Sequence, residues 1–297
     1  MDIPYSSRIL TLMYAYFNGE IVPHTQVCIS PDDRGFLLAD GVYEVIHVYQ
    51  GQLFQAAEHF VRLQKSLDGI RITGIDLDAL ERAANALVRR NALLTGEAKI
   101  YVQITRGVAP RQHAFPTAPP TPTIYMTATP FTPPTAQWEH GIRVALIPDN
   151  RWTRCDIKSI ALLPNVLANQ EAHERGADEA VFVRDGYVTE GSHTGICAII
   201  SGALTAHPLT SAVLPSITRD NVLRLGSEIG LPVVERPIPV EEFLHASEIL
   251  ALGTTSGLLP VIQVDAHLIG DGIPGPYTRQ IQTAYQTLTA RACPGIR

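Results

Sequence analysis

Only three lysines occur in the chain, Lys65, Lys99 and Lys158, and the third sits in Arg154-Cys155-Asp156-Ile157-Lys158-Ser159, directly before the apolar run Ile160-Ala161-Leu162-Leu163. A lysine entering apolar surroundings is open to desolvation. Burial disfavours the ammonium form and frees the amine as a nucleophile near neutral pH, the state that imine chemistry with an aldehyde or ketone requires. Downstream, Val188-Thr189-Glu190-Gly191-Ser192 places a carboxylate at the end of a hairpin strand. A lysine that holds a cofactor and an acid that tunes it is the chemistry this pair suggests. The plainer alternative is a surface lysine beside a helix start. Against it, Lys and Arg together number 23, so arginine supplies most of the positive charge and solubility does not rest on lysine.

Three further segments carry side chains of possible use. Leu214-Pro215-Ser216-Ile217-Thr218-Arg219-Asp220 closes a loop and opens a helix, with Ser216 placed to cap it and the first backbone N–H groups free to face a phosphate. Gly253-Thr254-Thr255-Ser256-Gly257 offers hydroxyls after a strand, or is a polar turn. Arg106-Gly107-Val108-Ala109-Pro110-Arg111-Gln112-His113 sets an Arg and a His two apart in a proline-bounded loop, a pair that can converge on a carboxylate. Read alone, that segment is equally a solvated surface loop. The chain has no P-loop, HExxH or GxSxG, which counts against the usual NTPases, zincins and serine hydrolases.

The elements that must position these residues mix hairpins and helices. Asn18-Gly19 signals a hairpin, and Val42 to Val48 alternates as a strand. A helix fits Ala56 to Gly69, with Phe60, Leu63 and Leu67 on one face and His59, Arg62 and Ser66 together on another. A second helix fits Leu77 to Leu93, and strands fit Lys99 to Thr105 and Ile124 to Thr129. After the proline cluster Pro130-Phe131-Thr132-Pro133-Pro134, a strand fits Ile142 to Ile147, a helix Ser159 to Arg175 despite Pro164, and a hairpin turns at Asp185-Gly186. Strands at Ile196 to Ile200, Ala203 to Ala206 and Glu248 to Leu252 follow, with helices at Thr218 to Ile229, Val240 to His245 and Tyr277 to Ala290. The pattern predicts an α+β fold in two domains, 13–131 and 132–297, behind an N-terminal extension at 1–12.

The chain has 297 residues, of which 45% are hydrophobic and 18% charged, enough to bury a substantial core. A formal net charge of -6, with no basic tract, argues against nucleic acid as a partner. No apolar run approaches the roughly 20 residues of a membrane helix. Cys28, Cys155, Cys197 and Cys293 are too widely spaced for a CxxC motif, so reduced thiols in the cytoplasm and no metal are expected.

In the same order along the chain, these signals resemble the class IV aminotransferases, the fold-type IV pyridoxal phosphate enzymes, and within them the bacterial D-amino-acid aminotransferases. The most specific pieces are Asp33-Arg34-Gly35 with Asp40-Gly41-Val42-Tyr43-Glu44, Thr105-Arg106-Gly107 with Pro110-Arg111-Gln112-His113, Cys155 to Ser159, Gln170-Glu171-Ala172 and Thr189-Glu190-Gly191-Ser192. The resemblance implies two α/β domains with the cofactor, pyridoxal 5'-phosphate, between them. It implies that Lys158 is the Schiff-base lysine and proton carrier and that Glu190 pairs with the pyridine nitrogen. Arg62, Ile217, Thr218 and Thr254 match phosphate-binding positions, and Tyr43, Arg111 and His113 match the trap for the substrate α-carboxylate. A homodimer is implied, because in the family the Arg-x-His loop reaches the neighbouring subunit's site.

The expected reaction is ping-pong transamination between D-amino acids, such as D-alanine or D-glutamate, and 2-oxo acids such as 2-oxoglutarate or pyruvate. The Arg-x-His loop separates this branch from branched-chain aminotransferases, aminodeoxychorismate lyases and R-amine transaminases, which remain the alternatives within the fold. A binding protein that keeps the fold without the cofactor is a further one. Three features depart from the family pattern: His193, Thr194 and Gly195 replace small hydroxyls and an asparagine, Ser216 replaces a glycine, and Gly257 replaces an acidic residue.

Overall fold

The computed structural model describes residues 13–294, so the expected N-terminal extension, residues 1–12, lies outside the described residues. The described chain forms two compact units, one of residues 13–132, 157–161 and 292–294, the other of 133–156 and 162–291.

In the first unit Asn18 and Gly19 take positive φ, 47° and 105°, and turn β1 (Tyr14–Phe17) into β2 (Glu20–Pro23). A short helix α1 (Arg34–Leu38) precedes β3 (Gly41–Tyr49) and β4 (Gln52–Leu53). Helices α2 (Ala56–Gly69) and α3 (Leu77–Arg90) then lead to β5 (Glu97–Thr105) and β6 (Thr123–Pro130). The six strands run in the order β2-β1-β6-β5-β3-β4. Because side chains alternate across a sheet, Val42, Ile46, Val102, Ile104 and Met126 share one face and pack with Phe60, Leu63 and Leu67 of α2. Tyr43, Gln103 and Tyr125, aligned across β3, β5 and β6, occupy the opposite face.

β4 pairs only with Val48 and Tyr49, which leaves the first residues of β3 with an open edge. Residues 157–161 fill it: Tyr43 N donates to Lys158 O at 3.0 Å, Ile160 N donates to Gly41 O at 3.1 Å, and Val42 bridges Ser159. Ile157 enters the first unit's core. The chain therefore leaves this unit after Thr132 and returns for the segment that carries Lys158.

The second unit contains α4 (Thr135–His140), β7 (Ile142–Pro148), α5 (Leu163–Glu174), β8 (Glu179–Arg184), β9 (Tyr187–Gly191), β10 (Gly195–Ile200) and β11 (Ala203–Ala206). It continues with α6 (Ile217–Glu228), β12 (Val233–Glu235), β13 (Ile238–Pro239), α7 (Val240–Leu244), β14 (Glu248–Gly253), β15 (Gly257–Val264), β16 (His267–Leu268) and α8 (Pro276–Ala292). A ten-stranded mixed sheet runs β12-β11-β10-β14-β15-β7-β8-β9-β13, with β16 on β15. One core gathers Ile142, Val181, Ile196, Ile249 and Val261 with Phe243 of α7, and a smaller one packs Ala145, Ile147 and Phe182 with Ala168 and Ala172 of α5. The architecture is α+β.

The helix expected from Ser159 begins at Leu163. Residues 159 and 160 are spent on the β3 edge, and Pro164 occupies the first turn, where its missing N–H costs nothing. Gly270-Asp271-Gly272-Ile273-Pro274-Gly275 has the spacing of a dinucleotide-binding loop, but the start of α8 behind it is taken: Glu248 accepts from Tyr277 N at 3.0 Å and Thr278 N at 2.7 Å. Among the described residues no helix is long and apolar enough to cross a membrane, and no His, Cys, Asp and Glu cluster is arranged to hold a metal.

Candidate active site

Lys158 is fixed from two sides. Its carbonyl accepts from β3, as above, and its N–H donates to Ser66 Oγ at 3.1 Å, so the face of α2 that bears Ser66 grips the backbone beside the amine. The side chain is half-buried, and its Nζ stands 4.6 Å from the centroid of the Tyr43 ring. Two of the residues expected to act together, Lys158 and Tyr43, are thus adjacent within one unit.

The same face of α2 is buried rather than solvated. Glu44, fully buried, accepts from Arg62 Nε at 2.8 Å and Nη2 at 2.6 Å, and its Oε1 lies 3.1 Å from His59 Nδ1. Burial alone would raise the Glu44 carboxyl, but the Arg62 charge and the hydrogen bonds from His59 and Arg62 outweigh it and hold it far below the carboxylate range. His59 moves down, chiefly through burial, with the Arg62 and Lys158 charges adding to that and Glu44 opposing. A neutral His59 that donates Nδ1–H to Glu44 keeps Nε2 as an acceptor. Arg62 is therefore a cation already neutralised on one edge of its guanidinium.

Glu44→Gln is expected to destabilise the fold by about 3–5 kcal/mol, because it strands the Arg62 charge in the interior; urea or thermal unfolding checks it. The pH dependence has a defined sign. A carboxyl lowered by folding contributes stability that is present above its ordinary value of 4.5 and is lost as pH falls through its folded value. The wild type should thus weaken progressively below about pH 4.5, and the variant should lose that part of the slope.

Arg111 and His113 lie in the β5–β6 connection and are exposed. Gly107 starts this loop at φ 95°, and a Cβ there would sit 2.0 Å from Thr121 O, so only glycine fits. Beside the loop, an open cavity of about 610 Å³ on the first unit is lined by Asp33, Gln103, Thr105, Thr123, Tyr125 and Ile160, among others.

In the second unit Glu190 ends β9 and is 8% exposed. Its Oε1 accepts from Arg151 Nη1 and its Oε2 accepts from Leu214 N at 2.9 Å. Arg151 also donates from Nε and Nη2 to the two oxygens of Asp149, each at 2.9 Å, and lies 4.3 Å over the Phe182 ring. Burial would raise the Asp149 carboxyl, but the Arg151 and Arg184 partners outweigh it and lower it. Asp149 and Arg151 were not singled out in the sequence; an acid and an arginine directly behind the apolar run of β7 were the available signal.

Ser216 caps α6, accepting from Arg219 N at 3.2 Å, as its position predicts. Ile217 is half-buried and Thr218 is 3% exposed. Thr218 hydrogen-bonds Tyr285, whose hydroxyl is pushed up to about 12 mainly by burial. Gly195 pairs with Leu252 near the end of β14, and a Cβ on Gly195 would stand 3.6 Å from Ser216 Cβ. The start of β10, the first turn of α6 and the strand end preceding Thr254 therefore share one end of the sheet.

The departures from the family pattern have local partners. Thr194 donates to the buried Glu179 at 3.1 Å, and His193 pairs with the same carboxylate at 2.8 Å. Gly257 sits at φ 64°, where a Cβ would come within 2.9 Å of Trp138 Nε1.

The amino-transferase class IV family model matches residues 41–264. The D-alanine aminotransferase of Bacillus licheniformis is 39% identical over 92% of this chain and 96% of its own, and that of Staphylococcus haemolyticus 38% identical over 91% and 95%. Among solved structures, the Escherichia coli branched-chain amino acid aminotransferase superposes with a TM-score of 0.86 at 27% identity, over 93% of this chain and 94% of that one. The enzyme of that name from Thermobaculum terrenum, in its PLP form, gives 0.83 at 26% identity, covering 95% of each. A match across three quarters of the chain, carried by relatives that align nearly end to end, establishes that this chain belongs to the class IV aminotransferases.

Proposed function

We propose that this chain is a D-amino-acid:2-oxo-acid aminotransferase that uses pyridoxal 5'-phosphate. The observation that carries the proposal is the seat of Lys158, a half-buried amine fixed between β3 and Ser66 and facing Tyr43. The donors within each unit suit the cofactor's chemistry: in the first, a positioned amine at Lys158 and the Arg62 guanidinium; in the second, a buried carboxylate at Glu190, a capped helix start at Ile217 and Thr218, and the hydroxyl of Thr254. When bound, pyridoxal phosphate supplies the aldehyde that accepts the amine and the ring that takes up the electron pair left at the substrate Cα.

In this reading Lys158 Nζ would hold the cofactor covalently and would carry the proton taken from the substrate Cα. Glu190 holds the proton at the ring nitrogen, with Arg151 and Leu214 N fixing its orientation. Ile217 and Thr218 N–H groups, Thr254 and Arg62 bind the phosphate. Tyr43, Arg111 and His113 bind the substrate α-carboxylate, the arginine and histidine being supplied across a homodimer. A cytoplasmic location is part of this reading, supported by four cysteines that form no disulfide.

The preference for D-amino acids is supported by the D-alanine aminotransferases among the curated relatives. Incubation with D-alanine and 2-oxoglutarate should yield pyruvate and D-glutamate in a coupled assay. Equal or faster turnover of L-leucine would overturn this branch in favour of the branched-chain one named by the structural neighbours.

A further inference from the structure

Arg34 is one of the largest fully buried side chains, 2% exposed, although it belongs to a five-residue helix. Its Nε donates to Asp40 Oδ2 at 2.8 Å, and its Nη1 donates to the backbone carbonyl of Gln112 at 2.7 Å. Gln112 is the residue between Arg111 and His113. Asp40 is shared: Arg106 Nε donates to its Oδ2 at 2.8 Å and Nη2 to its Oδ1 at 2.9 Å. Arg106 in turn is anchored by Ile70 O at 2.6 Å, and its guanidinium lies 3.7 Å from the centre of the Phe115 ring. Phe115 is half-exposed, follows His113 by two residues, and has the guanidinium as its partner in an otherwise exposed stretch.

The root of the loop is fastened to the same place. Arg34 N donates to Gly107 O at 3.0 Å, Arg106 N to Asp40 O at 3.0 Å, and Asp33 bridges Val108. A buried arginine satisfies its donors wherever acceptors exist; here one of them is a loop carbonyl 78 positions away. Without these tethers the segment from Pro110 to Phe115 has no regular secondary structure to hold it, and a loop that samples many conformations binds more weakly, because ordering it costs entropy.

We infer that Arg34, through the Gln112 carbonyl, and Phe115, through Arg106, are positioning residues that preset Arg111 and His113 for the substrate's α-carboxylate. The inference rests on the reading of Arg111 and His113 as the carboxylate trap. It makes the Asp33-Arg34 segment and Asp40 part of substrate selection although none of them needs to touch the substrate. The contribution should fall on binding of carboxylated donors and leave the chemistry at the lysine alone, since a tether that acts on the loop is silent for a substrate with nothing for the loop to hold.

The test compares D-alanine with D-alaninol, the same skeleton with a hydroxymethyl in place of the carboxylate, in single-turnover half-reactions of the holoenzyme. Phe115→Ala should raise the half-saturating D-alanine concentration about 10-fold with the limiting rate within about 3-fold, leave D-alaninol unchanged, and speed amide hydrogen exchange in residues 108–116. Phe115→Tyr, which keeps a ring for Arg106, should behave as wild type; Arg34→Lys, which loses the fork that spans Asp40 and Gln112, should resemble Phe115→Ala. Arg111→Leu is the reference and should abolish the preference for D-alanine over D-alaninol. If Arg111→Leu has that effect while Phe115→Ala and Arg34→Lys leave D-alanine saturation and loop exchange unchanged, or weaken both donors alike, the positioning role is wrong. If Arg111→Leu itself keeps the preference, the carboxylate trap is elsewhere and the inference falls with it.

Discussion

Lys158→Ala should lower turnover of D-alanine by about 10,000-fold or more, because in the proposed mechanism one substitution removes both the covalent anchor and the base at Cα. The fold should be nearly unaffected. The contacts that fix this segment run through the backbone, Tyr43 N to Lys158 O and Lys158 N to Ser66 Oγ, and an alanine keeps them. What is lost beyond the amine is its contact with the Tyr43 ring. Thermal unfolding close to wild type, together with collapse of the half-reaction, is the expected signature. Turnover within 10-fold of wild type would mean that another group carries the proton.

Glu190→Gln should reduce the limiting rate about 100- to 1,000-fold, the range seen when a single preorganised electrostatic partner is removed from a reacting centre. The amide has nearly the shape of the carboxylate but no negative charge to hold a proton at the ring nitrogen, so the electron sink weakens while binding is largely kept. Structural damage should be smaller than for loss of Arg151: the amide oxygen can still accept from Leu214 N and Arg151 keeps its two bonds to Asp149, and only the bond from Arg151 Nη1 is lost, since the amide NH2 that replaces Oε1 is a donor. Arg151→Leu makes the contrast. It leaves two carboxylates, Asp149 and Glu190, without their shared cation, and should cost about 3–5 kcal/mol of stability. A glutamine variant that unfolds as easily as the leucine variant would show that Glu190 serves the fold rather than the ring.

How much of this was legible in the sequence depended on distance along the chain. Helix α2 is read to its ends, Ala56–Gly69, because both of its faces have helical spacing. Its His59, Arg62 and Ser66 stripe looked polar; it is buried because Glu44 and the Lys158 backbone satisfy it. The turn at Asn18-Gly19 and the cap at Ser216 were visible because their chemistry is local. Lys158 stood out by scarcity and by the apolar run behind it.

Pairings made by topology were not visible. Arg151 meets Glu190 across 39 positions because β7, β8 and β9 are neighbours in the sheet, and Arg34 meets Gln112 across 78. Residues 157–161 join the first unit because β4 is too short to cover the start of β3, a fact about edge pairing that composition does not record. Strand β15 has little signal in the sequence, since glycine and proline such as Gly257 and Pro260 are disfavoured inside a sheet, yet Pro260 pairs opposite Leu250.

The central claim, that the amine of Lys158 carries the cofactor, is tested most directly by borohydride reduction of the pyridoxal phosphate-loaded protein, followed by proteolysis and peptide mapping. The expected result is loss of the visible absorbance and a phosphopyridoxyl mass on the peptide containing Lys158 alone. A label on Lys65, which is exposed on α2, on Lys99 of β5, or on no lysine at all would contradict it.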